Sequence, residues 1–202
     1  MKTFKLFIIT MTLFFSACGE SGGGTSSSTI IGTASSIINS DPNATMAPSS
    51  ATLKSILNDV ATVVQTDVEN QNQKEATSFT KTTQYCDISG VREYENRGTL
   101  ANITKLEKFT TCKDEKYLQH GNLTVNYLQT NSDGKYPKLI KIAVNNDYTF
   151  NELLLKKGSI IESQISYNSD NSINTIVVKI NGVVTYQYGN YSLKDTQESI
   201  KL

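Results

Sequence analysis

Residues 173–188 read INTIVVKINGVVTYQY. β-Branched and aromatic side chains recur at alternate positions on both sides of Asn181-Gly182. That dipeptide suits the two left-handed positions of a type I′ hairpin turn. The pattern predicts a strand Ile173–Ile180 that returns as Val183–Tyr188, the strongest hairpin signal in the chain. The same period of two continues upstream. Gly121–Gln129 alternates through Leu123, Val125 and Tyr127, Asn131–Gly134 reads as a turn, and Tyr136–Val144 alternates again. Asn145–Asp147 turns, Phe150–Leu155 is a strand, Lys157-Gly158 turns, Ile161, Ile165 and Tyr167 mark the next strand face, and Asn168–Asn171 turns. Connections this short make neighbouring strands antiparallel, so the expected path is a meander. Phe79–Ile88, Val91–Asn96 and Leu100–Phe109 are expected strands too, although Leu100, Ile103 and Leu106 also fit helical spacing.

Before the strands the period changes to that of a helix. Leu53, Ile56, Leu57, Val60, Val63, Val64 and Val68 share one face of a 3.6-residue repeat, and Ser49 or Ser50 after Pro48 offers an N-cap. The helix is expected over 50–70, with the polar run Asn70–Lys74 ending or fraying it. Its polar face carries Asp59, Asp67 and Glu69 against Lys54. Membrane-surface helices are usually basic there, so packing on a sheet is the better reading. The fold class is α+β, mostly β: an antiparallel β-meander of about eight strands, as a curved sheet or partial barrel, with one N-terminal amphipathic helix packed on it. A helix-filled half-barrel of this kind resembles, in topology, periplasmic lipoprotein carriers and related lipid-binding lipoproteins.

The 202 residues carry 19 basic and 19 acidic side chains. A neutral chain lacks the basic excess by which nucleic-acid binders displace counterions, so no nucleic-acid partner is expected. At the N-terminus, Lys2 and Lys5 precede the apolar run Leu6–Phe15, which is signal-peptide length and too short to span a bilayer. Phe15-Ser16-Ala17-Cys18 resembles the bacterial lipoprotein lipobox, with Phe15 standing where leucine is usual. The resemblance implies a signal peptide over 1–17, a diacylglyceryl thioether (lipidation) on Cys18 and a membrane anchor there. Two or more acyl chains anchor stably, at about 0.8 kcal/mol per buried methylene. Loss of Lys2 and Lys5 would leave 17 basic and 19 acidic side chains, a net of −2. Gly19, not aspartate, follows the cysteine, which favours the outer membrane of a Gram-negative envelope.

Residues 18–48 then read as a lipidated flexible tether rich in Gly, Ser, Thr and Ala. Two apolar pairs, Ile30-Ile31 and Ile37-Ile38, stand out in it. The remainder, 49–202, is one β-rich domain with the helix at its start. Two cysteines are left, Cys86 and Cys112, and in an exported chain they most simply form one disulfide. No C-x-x-C spacing or histidine cluster points to a redox pair or a metal site. The single histidine, His120, sits at a loop-to-strand junction with nothing nearby in sequence to orient it as a base. Asp133 and Asp170 lie in turns whose chemistry needs no cation. The ten tyrosines gather in the β region, with Tyr186 and Tyr188 expected on one strand face, as structural residues before a binding stripe. No catalytic residue, metal or cofactor is expected. The functional expectation is a non-catalytic, lipid-anchored envelope protein that binds an envelope protein or another envelope component. The second reading is a carrier or chaperone of lipids or lipoprotein acyl chains, with a cavity between helix and sheet.

Overall fold

The computed structural model describes residues 47–75 and 79–202. The expected signal peptide over 1–17, Cys18, most of the expected tether and the isoleucine pairs lie outside the described residues. Ser49 caps the helix: its backbone is extended and its hydroxyl accepts from the Thr52 N–H at 3.1 Å. Helix α1 runs Ser50–Asn70 and buries all seven residues of the apolar stripe, together with Ala61 and Asp67. Two expectations change at its C-terminal end. Asn70–Lys74 does not fray, because the chain continues as a π-helical turn, Gln71–Glu75, that carries Gln71 and Glu75 inward. Asp67 belongs to the buried face and not to the polar one.

The fold is mostly β, with ten antiparallel strands among the described residues where about eight were expected. They are β1 Thr82–Tyr85, β2 Ser89–Thr99, β3 Asn102–Lys113, β4 Leu118–Gln129 and β5 Leu139–Val144. The rest are β6 Tyr148–Phe150, β7 Leu153–Leu155, β8 Ile160–Tyr167, β9 Ile173–Tyr186 and β10 Gly189–Lys201. Of the expected strand Leu100–Phe109, Leu100 and Ala101 form the turn from β2, and the rest is strand and not helix, because Ile103 pairs with Tyr127 and Phe109 with Gly121 in β4. The path is not a simple meander. The expected strand Phe150–Leu155 is a hairpin, β6–β7, that turns at Asn151 with φ 52. β5 pairs directly with β8, and the hairpin crosses to join β4 on one side and β9 on the other. Strands β4, β5, β8, β9, β7 and β6 thus close a six-stranded barrel. β3, β2 and β1 extend from its β4 side, and β10 from β9.

The hairpin expected at Asn181-Gly182 is absent; β9 runs straight through it. Up to Asn181 the strand pairs with β8, and from Val184 it pairs with β7. Gly182 marks that change of partner. A Cβ there would lie 2.3 Å from Ser159 Oγ and 2.7 Å from Ser159 Cα, so only glycine lets the chains pass. The real turn falls at Gln187-Tyr188, both left-handed (φ 45 and 69). Two non-glycine residues in that region cost roughly 1–2 kcal/mol each, offset by the long β9–β10 ladder. Tyr188 is therefore a fully exposed turn residue while Tyr186 is buried, and they share no strand face. α1 packs on β9 and β10, with Ile56, Val60, Val64 and Val68 wholly buried. The space at its C-terminal half, between Val63, Asp67, Phe109 and Leu123, amounts to about 10 Å³, about one water's worth.

Candidate functional site

Five charged side chains meet where the end of α1 crosses β2 and β3. Arg92 and Lys105 are the cations; Asp67, Glu75 and Glu107 are the anions. None has a side chain more than 6% exposed. Ile103, Lys105, Glu107 and Phe109 alternate along one face of β3, so the two charges occupy core positions between apolar residues. Arg92 holds Glu75 with two bonds, at 2.5 and 3.2 Å, and bonds Glu107 through Nε at 3.1 Å and through Nη2. Four of its five N–H groups are thereby used. Its guanidinium also lies 4.9 Å from the Tyr94 ring and 5.6 Å from the Phe109 ring. Lys105 Nζ meets Asp67 Oδ1 at 2.5 Å and Glu75 Oε2 at 2.9 Å, with Glu107 at 3.7 Å. Tyr127 donates to Asp67 Oδ2 at 2.6 Å, and Asn96 donates to the Glu75 carbonyl.

Two cations against three anions leave one carboxylate in excess. Burial pushes the Asp67 carboxyl up to about 6, with Glu107 adding to the rise and Lys105 opposing it. Burial also acts against Glu75, but Lys105 and Arg92 outweigh it and hold that carboxyl down at about 2. Lys105 and Arg92 stay charged, because their carboxylate partners overcome the cost of burial. Charges paired this completely hold a shape and present no reactive group to solvent.

The shape they hold is a cleft. Arg92 forms part of its wall, and the Cys86–Cys112 disulfide, expected from the sequence, closes another part. The bridge ties the end of β1 to β3, with the two Cα atoms 5.4 Å apart. Beside it Gly90, at φ 82, brings β2 so close to Thr111 that a Cβ would lie 2.1 Å from the carbonyl oxygen. The cleft has a volume of about 330 Å³. Thr66 and Asn70 reach it from α1, Gln84 and Tyr85 from β1, and Tyr117 and Gln119 from the start of β4. Its rim carries Asp87, Asp114, Glu115 and Lys116. Asp114 Oδ1 accepts the Asp87 N–H at 3.0 Å, which fixes the two rim loops together. Tyr85 is 83% exposed, and Ile88 beyond the disulfide is 57% exposed. Gln119 is only 5% exposed. Its Oε1 accepts from buried Tyr148 at 2.8 Å, and its Nε2 has no partner among the described residues.

His120 lies outside this arrangement. It is exposed, pairs in register with Thr149, and its Nδ1 accepts the Thr111 N–H at 3.2 Å at a bulge in β3. Asp133 and Asp170 accept backbone N–H groups within their own turns. The structure thus joins Cys86 to Cys112, while Cys18 lies outside the described residues. Asp67, Glu75, Arg92, Lys105, Glu107 and Gln119 were not expected as site residues. For Lys105 and Glu107 the signal was available, since a charged residue at the parity of Ile103 and Phe109 must face the core. Asp67 carries the same signal, lying between Val64 and Gln71 on the apolar stripe.

No protein-family model, no curated protein and no solved structure matches the chain.

Proposed function

We propose that this chain is a lipid-anchored protein of the cell envelope, held through Cys18, and that its β-rich domain is a non-catalytic binding module whose recognition site is the cleft beside Cys86–Cys112. The observation that carries the reading is the cleft itself. It is a concave site of ligand size, braced by a disulfide and a buried charge network, with Gln119 Nε2, bonded to no described residue, lining it and an exposed ring, Tyr85, at its edge. Such bracing supports a binding surface fixed before its partner arrives, which lowers the ordering cost of association. The lipobox at 15–18 supports the anchor, and the tether would let the domain face a component some distance from its own membrane.

Two measurements on the full chain in cells test this. A photoreactive side chain placed at position 85 should give an adduct of discrete mass, and the same probe at position 188 should not. Adducts at both positions, or at neither, would overturn the cleft as the recognition site. Cys18→Ser should abolish incorporation of a labelled fatty acid and move the protein to the soluble fraction; label retained by that variant would remove the anchor from the reading.

A further inference from the structure

Resting on the reading of the cleft as a recognition site, we infer that its ligand is a neutral carbohydrate chain, held by side-chain amides and carboxylates against tyrosine rings. The charge balance narrows the choice first. Arg92 is occupied by Glu75 and Glu107, so it brings little free positive charge to the wall. Of the rim residues, Asp87, Asp114 and Glu115 are acidic and Lys116 alone is basic. An anionic headgroup, a phosphate or a nucleic acid would meet a net negative edge. The cleft is also no apolar tunnel of the kind an acyl chain needs, because Thr66, Asn70, Gln84, Gln119 and the rim carboxylates set polar groups among its tyrosine rings and disulfide.

What remains fits a sugar. A pyranose offers hydroxyls that both donate and accept, around a ring whose C–H face is apolar. The side chains of Thr66, Asn70 and Gln84 make no hydrogen bond among the described residues, and Gln119 Nε2 is a spare donor on a side chain otherwise buried. Asp114 keeps one carboxylate oxygen clear of the Asp87 N–H, and a carboxylate accepts readily from a sugar hydroxyl. Tyr85 presents an open ring at the edge. Tyr117 has one face backed by Phe150, with ring centroids 4.8 Å apart, which fixes its orientation at the wall. A volume of about 330 Å³ suits a short stretch of glycan and not a whole chain.

The test uses the full chain in a detergent without a sugar headgroup. Chitotetraose, cellotetraose, maltotetraose and mannotetraose are each titrated by calorimetry, with phosphate and a basic peptide run alongside. At least one tetrasaccharide should bind saturably. Tyr85→Ala and Asn70→Ala should each weaken it about tenfold, whereas Tyr188→Ala should leave it unchanged. The melting temperatures of all three variants should match that of the unaltered chain, since Tyr85 and Tyr188 are exposed and Asn70 bears no internal bond. Sugar binding that survives Tyr85→Ala and Asn70→Ala would overturn the inference, because the sugar would then sit elsewhere. Binding of phosphate or the basic peptide in place of every tetrasaccharide would also overturn it. If no sugar binds while the photoprobe at position 85 still gives its adduct, the ligand class falls and the cleft stands. If neither is seen, both fall.

Discussion

Asp67→Asn probes the excess charge in the buried cluster directly. In the folded protein the Asp67 carboxyl sits at about 6, against an ordinary value of 3.8. A raised carboxyl stabilises the fold at pH values below its unfolded value, and that contribution is lost as the pH rises through its folded value. The gap of about two units corresponds to roughly 2–3 kcal/mol lost between pH 4 and pH 7. Asparagine has no such titration, and it leaves Arg92 and Lys105 facing Glu75 and Glu107, a neutral set. Its oxygen can face Lys105 while its amide donates to the Tyr127 hydroxyl. The swap should cost about 1 kcal/mol at pH 4, where aspartate is already protonated in the fold. By pH 7 the order should invert, with the asparagine variant the more stable by roughly 1–2 kcal/mol. Urea unfolding followed by tyrosine fluorescence measures this, because urea is uncharged and leaves the pairs unscreened. If the variant is as destabilised at pH 7 as at pH 4, Asp67 is an ordinary ionised partner of Lys105 and the excess-charge reasoning is wrong. Glu75 works in the opposite sense: held down at about 2, it contributes stability above its ordinary 4.5 that is lost on acidification towards pH 2.

Other perturbations separate the remaining parts. Lys105→Met removes a wholly buried cation and leaves three carboxylates with one arginine, so roughly 3–5 kcal/mol should be lost at pH 7, measured by the same unfolding assay. Cys86→Ala with Cys112→Ala opens a loop with a sequence separation of 26 and should cost about 3.5 kcal/mol in the chain-entropy account, with proteolysis first appearing around residues 82–90. Gly182→Ala should destabilise by more than about 2 kcal/mol, and Ser159→Gly in the same chain should restore part of it, because two of the nearest atoms to the new methyl belong to the Ser159 side chain. His120→Ala should change stability by no more than about 0.5 kcal/mol and leave binding intact, as an exposed side chain with one backbone bond predicts.

The helix was legible almost to the residue because its signals are local. Ser49 supplies the cap, seven apolar residues set the repeat, and nothing distant competes with them. The strands were legible as a class for the same reason, since a period of two is a property of the chain alone. Their partners were not. Asn181-Gly182 has the composition of a turn and serves as a crossing point, while Gln187-Tyr188 has no turn composition and makes the turn. Local preference at either place is worth about 1–2 kcal/mol, less than the register of a long ladder and the closure of a barrel can override. β6 and β7 failed for a related reason: Leu153 to Leu155 could extend one strand from Phe150, and only the gap between β4 and β9 makes a hairpin the better use of them.

The sequence by itself determined the secondary-structure class, the helix and its apolar stripe, and the two cysteines available for a bridge. Each follows from spacing along the chain or from composition. The tertiary structure alone decided which strands close the barrel and that Asp67, Glu75, Arg92, Lys105 and Glu107 converge. It also decided that Gln119 lines a cleft beside the disulfide. Those are relations between residues far apart in the chain: Asp67 bonds Tyr127, 60 positions away. They are fixed by which pairings bury the most surface while leaving every buried charge a partner.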